Sequence, residues 1–150
     1  MEAREAVWLE MMKDYGLKEI PGPVDNPTIV EWFKEIGYPE VQDDETAWCS
    51  CCLNVMAKRA GLEYSGKLTA RSWMQTGKST DDPHIGDVVV FWRGQKTGWQ
   101  GHVGLFAGYT RDKKQIYVLG GNQGNMLTIR PYPVGALDFG LLGFRQLNYK

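Results

Sequence analysis

The chain has 150 residues, and its 17 basic and 18 acidic side chains give a formal net charge of −1. This length predicts a single domain over residues 1–150 with its own apolar core. Both signs of charge are scattered along the chain, which argues against a nucleic-acid groove or a polybasic membrane surface. There is no long apolar run in the sequence, so we expect no membrane insertion. We also expect a monomer.

The N-terminal sequence "MEAREAVWLEMMKDYG" has acidic residues among its apolar ones. It lacks the apolar stretch of a secretory signal peptide, so we expect synthesis in the cytoplasm without such a signal. A role outside the cytoplasm then requires another route of export or release.

Four helices are predicted in the first half of the chain. Apolar residues at helical spacing place the first over residues 4–16, and an Asn-Pro pair begins the second over residues 26–37. The third is predicted over residues 46–61, with basic residues in its last turn and a glycine beyond it. A short fourth helix is predicted over residues 69–77.

The sequence changes character after Pro83. Short β-branched or aromatic runs, separated by glycines and charged turns, predict four strands in "GDVVVFWR", "GHVGLFAGYT", "QIYVLGG" and "LLGFRQLNY". Helices followed by a meander of strands predict an α+β domain, with N-terminal helices packed on a C-terminal antiparallel sheet.

All three cysteines lie within four positions, at Cys49, Cys51 and Cys52. An odd number in so tight a cluster is a poor disulfide framework, because neighbouring side chains on a helix point in different directions. A zinc site usually takes four ligands as separated pairs, so we expect no metal and no cofactor. The cysteines are then either core residues or one nucleophile with two bystanders.

Cys49 falls in the first turn of the third predicted helix. Unpaired N–H groups and the positive end of the helix dipole favour a thiolate there. Its position alone leaves catalysis and core packing equally open. Cys52 lies one turn further on, in the apolar surface of the helix, and is predicted to be a core residue. The role of Cys51 stays open.

A nucleophilic cysteine needs a base, and the chain has two histidines. His84 lies in the turn "DDPHIGD", where an ordinary polar surface residue is expected. His102 begins an apolar strand and is flanked by glycines, which let a substrate or another backbone approach. We favour His102 as the base; the alternative is a strand-end residue hydrogen-bonded to a loop.

A polar residue that accepts a hydrogen bond from the second ring nitrogen would fix the tautomer of the base. The strand after His102 ends in "VLGGNQGN", where Asn122 and Gln123 are both candidates. Their alternative interpretation is turn formation, which is also the one we favour for Asn125. Strand alternation would send Asn122 and Gln123 to opposite faces.

Seven motifs occur in order over nearly the whole chain: "GLKEIPGPVDNPTIVEWF", "DDETAWCSCCLN", "ARSWMQTG", "GDVVVFWRG", "GHVGLFAGY", "VLGGNQ" and "LLGFRQ". As a set, with a tryptophan directly before the first cysteine, they resemble the NlpC-like and CHAP group of papain-related cysteine peptidases and amidases. Within this group, the chain resembles a small bacterial and phage subfamily. The resemblance implies a papain-like NlpC/CHAP fold.

The resemblance also implies a site. It places the nucleophile at Cys49, the base at His102 and the third member at Asn122, with Gln123 as the alternative. Relatives typically read Trp-Cys-Ala-Ala where this chain reads Trp-Cys-Ser-Cys, so Cys51 takes a small-residue position. The implied enzyme hydrolyses an amide bond of peptidoglycan, within the stem peptide or between the stem peptide and muramic acid.

The expected mechanism is acyl transfer through a thiolate. Cys49 attacks the carbonyl, His102 protonates the leaving amine, and water releases the acyl-enzyme. The backbone N–H of Cys49 is expected to stabilise the oxyanion, and "QDDET" is a possible source of a side-chain donor.

Three tryptophans complete the sequence-based picture. The loop "RGQKTGWQG" carries Trp99 and forms either a wall of the cleft or a mobile surface loop. Trp73 and Trp92 are expected in the core.

Two other functional classes stay open. A thiol acyltransferase or peptidase that acts on a protein could use the same triad, whereas a non-catalytic wall-binding module would be marked by a lost cysteine or histidine. The expected partner is peptidoglycan, met at the cell wall or in the periplasm. A phage lysin, a virion component and an effector exported by a dedicated machine all fit.

Overall fold

The structure, a computed structural model, describes residues 1–20, 25–41 and 47–150. Its helices precede its strands along the chain. They are α1 (Ala3–Met12), α2 (Pro27–Glu35), α3 (Cys49–Arg59) and a 3₁₀ helix (Ala70–Gln75). Among these described ranges, we find no helix with the length and apolar character needed to cross a membrane.

Within the described ranges, the strands form one six-stranded sheet. They are β1 (Lys78–Thr80), β2 (Val88–Arg93), β3 (Gly101–Tyr109), β4 (Gln115–Gly120), β5 (Thr128–Pro133) and β6 (Phe139–Gln146). The order across the sheet is β1-β6-β2-β3-β4-β5, and neighbouring strands are antiparallel. The α+β prediction, with helices before an antiparallel meander, is confirmed.

Local signals explain the beginning of α2 and the early end of α1. Asn26 caps α2 by accepting a hydrogen bond from the Thr28 N–H at 2.9 Å, and Pro27 occupies the first helical position. The end of α1 precedes the predicted stop at Gly16. Gly16 adopts a positive φ of 90° and donates its N–H to the Leu127 carbonyl at 2.8 Å, which turns the chain toward the sheet.

The central helix α3 packs between the sheet and the other helices, and residues 49–57 are all buried. Cys51 and Cys52 have no exposed surface, which confirms the core position predicted for Cys52. Trp73 is also fully buried, as predicted, whereas Trp92 is only half-buried.

Side chains of the sheet alternate between two apolar clusters, one on each face. The first cluster packs against the helices and includes Val88, Val90, Val103, Leu105 and Leu119. The second cluster lies on the opposite face and includes Val89, Phe91, Phe106, Ile116, Val118 and Phe144.

The sheet is strongly curved. The rings of Tyr132 on β5 and Phe139 on β6 have centroids 5.5 Å apart, although three strands lie between β5 and β6 in the sheet order. A flat sheet would separate these two strands by roughly 19 Å, because neighbouring strands lie about 4.8 Å apart. We call the inner surface of this curve, which carries Phe91, His102, Tyr132 and Phe139, the concave face.

Candidate active site

Cys49 is the first residue of α3, and its side chain retains 7% exposure. The preceding residue, Trp48, is fully buried and donates its indole Nε1–H to Oε1 of Glu19 at 2.7 Å. The Trp48 ring also packs against Gly121, where a Cβ atom would lie 2.6 Å from the ring. These contacts fix the start of α3, and with it the place of the thiol.

His102 is the second residue of β3 and lies opposite Phe91 of β2. Its side chain is 8% exposed, so the ring is nearly enclosed but reachable. The fold brings this ring close to the thiol of Cys49, since each of the two groups shifts the pKa of the other. The predicted nucleophile and base therefore meet in space, although 53 positions separate Cys49 from His102 in the sequence.

Cys49 and His102 shift each other's pKa values. Burial raises the pKa of the Cys49 thiol, but the hydrogen bond and charge of His102, together with backbone N–H groups of Val103 and Ser50, bring it below the ordinary value. Burial lowers the pKa of His102, but the hydrogen bond and charge of Cys49 bring it above the ordinary value. Both net shifts favour a thiolate beside an imidazolium, the reactive form of a cysteine nucleophile.

Gln123 fixes the tautomer of the imidazole. Its side-chain nitrogen donates to the carbonyls of Val118 at 3.0 Å and Thr128 at 2.8 Å, which orients the amide. Its oxygen then faces His102 Nε2 at 2.9 Å. An amide oxygen only accepts hydrogen bonds, so Nε2 carries a proton and Nδ1 is the ring nitrogen left to exchange one with the thiol.

The expected contact between Asn122 and the imidazole is absent. Asn122 has a φ of +58°, and its side chain makes no hydrogen bond with the part of the chain that the structure describes. Because β4 ends at Gly120, both Asn122 and Gln123 belong to a turn, where strand alternation does not apply. The structure therefore corrects the partner of the imidazole from Asn122 to Gln123. Asn125 has the turn conformation predicted for it, with φ +61°.

A cluster of aromatic rings lies against the other side of the imidazole. The ring centroid of Tyr132 lies 4.8 Å from that of His102, and Phe91 and Phe139 lie 5.7 and 5.5 Å from Tyr132. Burial raises the pKa of Tyr132 to about 12, so its phenol stays neutral. A neutral aromatic face stabilises an adjacent cation, which here is the imidazolium.

His84 is a polar surface residue in a turn, as predicted, and Cys51 and Cys52 both lie in the core. The His84 side chain is 60% exposed, and its backbone N–H donates to the carboxylate of Asp87 at 2.8 Å in the turn before β2. Burial raises the pKa of the Cys51 and Cys52 thiols, so both stay protonated in the core.

The loop between β2 and β3 carries Trp99, whose side chain is 72% exposed. Arg71 holds this loop, because its guanidinium donates to the carbonyls of Gln95, Lys96 and Gln100 at 2.7 to 2.8 Å. The segment "QDDET", a possible source of an oxyanion donor, lies outside the described residues.

Sequence reasoning missed two contributors, Glu19 and Tyr132. Glu19 contacts Trp48 across 29 positions, and no local pattern signals such a contact. Tyr132 lies in "RPYPVG", where two prolines argue against a strand.

A comparison with known protein families identifies the family of this chain. The model of the CHAP domain family matches residues 41–122, which is more than half of the chain. The chain therefore belongs to the CHAP domain family. No curated protein sequence matches the chain.

A solved structure supports the fold. It is described as similar to a lipoprotein of the NLP/P60 family, from Staphylococcus aureus subsp. aureus Mu50, and it matches with a TM-score of 0.51 at 16% identity. The match covers 97% of this chain but only 42% of the staphylococcal chain. The two comparisons confirm the resemblance to the NlpC-like and CHAP group and its fold.

Proposed function

We propose that this protein is a peptidoglycan hydrolase that cleaves an amide bond in or next to the stem peptide. Cys49 is the nucleophile, His102 is the general base and acid, and Gln123 orients the imidazole. The observation that supports this most directly is the coupling of Cys49 to His102, with the second ring nitrogen held by Gln123 at 2.9 Å. Family membership supports the choice of a wall substrate.

The first half of the reaction forms an acyl-enzyme. The Cys49 thiolate attacks the amide carbonyl, and the backbone N–H of Cys49, at the unpaired start of α3, donates to the developing oxyanion. The imidazolium of His102 then gives its Nδ1 proton to the leaving amine, and the carbon–nitrogen bond breaks.

The second half releases the product. Neutral His102 takes a proton from water at Nδ1, and the resulting hydroxide attacks the thioester. The bond to sulfur breaks, the carboxylic acid leaves, and the thiolate–imidazolium pair is restored. Gln123 holds Nε2 through both halves, so a single ring orientation serves both proton transfers.

The proposed place of action is the bacterial cell wall or periplasm. A phage lysin, a virion component and an exported effector share this substrate, and the chemistry of the site is the same for all three. We propose that a monomer is the active form, because the described contacts place all three proposed site residues in one chain.

Mass spectrometry of the fragments released from purified sacculi tests the proposal. We expect the wild-type protein to release soluble fragments, because each cut produces one new amine and one new carboxylate. The masses of the fragments identify the amide that is cut. The Cys49→Ala variant should release none, and Cys51→Ala, the matched control, should keep most of the activity. Release by Cys49→Ala, or no release by a folded wild-type protein, would reject the proposal.

A further inference from the structure

Two arginines lie on the concave face beside His102. Arg93 follows Phe91 by two positions on β2, and Phe91 is paired directly with His102. Side chains two apart on a strand share a face, so Arg93 projects from the same face as the imidazole, one step nearer the end of β2.

Arg130 has the corresponding position on the other side of the imidazole. It precedes Tyr132 by two positions on β5, so it projects from the same face as the Tyr132 ring, which contacts His102. Its guanidinium lies over Gly124, where a Cβ atom would be 2.7 Å from the guanidinium carbon. Gly124 follows Gln123 directly, which places Arg130 beside the loop that holds the imidazole.

Both arginines are exposed, and both lack polar partners within the described part of the chain. Neither side chain forms a hydrogen bond or an ion pair with residues 1–20, 25–41 or 47–150. They lie at the end of the sheet where β2 ends, β3 begins and the Gln123 loop follows β4, which is also the end that carries His102. Two guanidinium groups therefore project from the face that carries the imidazole, at the same end of the sheet.

We propose that Arg93 and Arg130 form a subsite for a carboxylate of the substrate, close to the amide that is cut. This inference rests on the proposed function and specifies it: the preferred stem peptide carries a free acid beside the cleaved bond. The planar guanidinium of arginine presents paired N–H donors that match the two oxygens of a carboxylate.

The positive charge of Arg93 disfavours the imidazolium form of His102, and a substrate carboxylate would offset this effect. Although the net pKa of His102 is raised, burial lowers it, and the positive charge of Arg93 acts in the same direction. A bound carboxylate would offset this charge and favour the imidazolium that must protonate the leaving amine. A substrate carboxylate would therefore bind the two arginines and also favour proton transfer from His102 to the leaving amine.

Equilibrium titration of the Cys49→Ala protein with two probes tests the subsite. The first probe is a soluble muropeptide fraction prepared from sacculi, with its carboxylates free. The second is the same fraction after carbodiimide coupling with ammonia, which converts the carboxylates to amides. Arg93→Gln and Arg130→Gln are added singly, and Arg111→Gln, an exposed arginine in the β3–β4 turn, is the control.

We expect each of Arg93→Gln and Arg130→Gln to weaken binding of the free-acid probe about tenfold, since a hydrogen bond between charged groups contributes on the order of 1.4 kcal/mol. Binding of the amidated probe should change less than about twofold, which is within the effect of an uncharged contact. Arg111→Gln should bind both probes as the parent does.

The outcomes separate the subsite from the proposed function. If both arginine variants bind the free-acid probe as tightly as Arg111→Gln does, the subsite is rejected, whether or not the wild-type protein cuts sacculi. If the probes discriminate as expected but the wild-type protein releases no fragments, the subsite stands and the hydrolase proposal fails. If the Cys49→Ala protein binds neither probe, the subsite is rejected, and fragment release from sacculi by the wild-type protein decides the hydrolase proposal separately.

Discussion

The orientation of one side-chain amide, that of Gln123, assigns the protons of the imidazole. Two backbone carbonyls hold its nitrogen, so its oxygen has to face His102. The sequence places both Asn122 and Gln123 after β4, and family resemblance favours Asn122. Gln123 faces the imidazole because the chain turns at Asn122, which has a positive φ. The alternation of side chains along a strand does not predict such a turn.

We predict that Gln123→Ala reduces turnover far more than Asn122→Gly does. Loss of the Gln123 amide leaves the Nε2–H of the buried imidazole without its acceptor, and it frees the ring to rotate away from the thiol. The expected loss in kcat is roughly 10²-fold or more, a substantial part of a general acid–base contribution. Steady-state kinetics on soluble muropeptides provides the measurement.

Asn122→Gly is the matched control because glycine accepts the positive φ of this position without strain. Circular dichroism of both variants checks that the fold is intact. Near-normal turnover in Gln123→Ala, with a large loss in Asn122→Gly, would restore Asn122 as the third member.

At the scale of elements, residues 18 and 19 after α1 support both the start of α3 and the loop that carries Gln123. Lys18 forms a β-bridge with Met126, and the N–H of Glu19 donates to the Asn125 carbonyl at 2.9 Å, next to the Gln123 loop. The carboxylate of Glu19 accepts from Trp48 at the start of α3. Residues before the family match at 41–122 thus help to hold both the thiol and the imidazole.

We predict that Glu19→Ala destabilises the protein, because it leaves the buried indole N–H of Trp48 without an acceptor. The expected decrease in the free energy of unfolding is about 1–3 kcal/mol, measured by urea denaturation. Glu19→Gln keeps an acceptor oxygen and should lose less.

Glu31→Ala is the control for removing a carboxylate, since Glu31 forms an exposed ion pair with Lys34 at 3.2 Å. Exposed pairs of this kind contribute about 0.5 kcal/mol or less. Equal effects of Glu19→Ala and Glu31→Ala would show that the hydrogen bond to Trp48 does not hold the start of α3.

The elements themselves were predictable to different degrees, for physical reasons. The start of α2 follows from an Asn cap and a Pro at the first position, both local signals. β5 was not predictable in the same way because Pro131 and Pro133 argue against a strand. Both prolines are tolerated since β5 is an edge strand of the sheet.

For the whole molecule, the predicted α+β class is confirmed, whereas the catalytic pairing of Cys49 with His102 stays a proposal that the mutual shift of their pKa values supports. The curl of the sheet was beyond sequence reasoning, because it depends on contacts between β5 and β6 across three intervening strands. That curl brings Tyr132 onto His102 and places Arg130 on the same concave face.

The central claim is that His102 activates Cys49, and the pH dependence of alkylation tests it without any substrate. Iodoacetamide labelling, mapped by mass spectrometry between about pH 5 and 10, follows the thiolate of each cysteine. The lowered pKa of Cys49 predicts that its labelling rises with pH earlier than an ordinary thiol's, while Cys51 and Cys52 stay unlabelled in the folded protein. His102→Ala should move the Cys49 inflection to higher pH, because the burial that raises the thiol pKa is then unopposed by the imidazolium. Labelling of Cys51 before Cys49, or an inflection that His102→Ala leaves in place, would contradict the account.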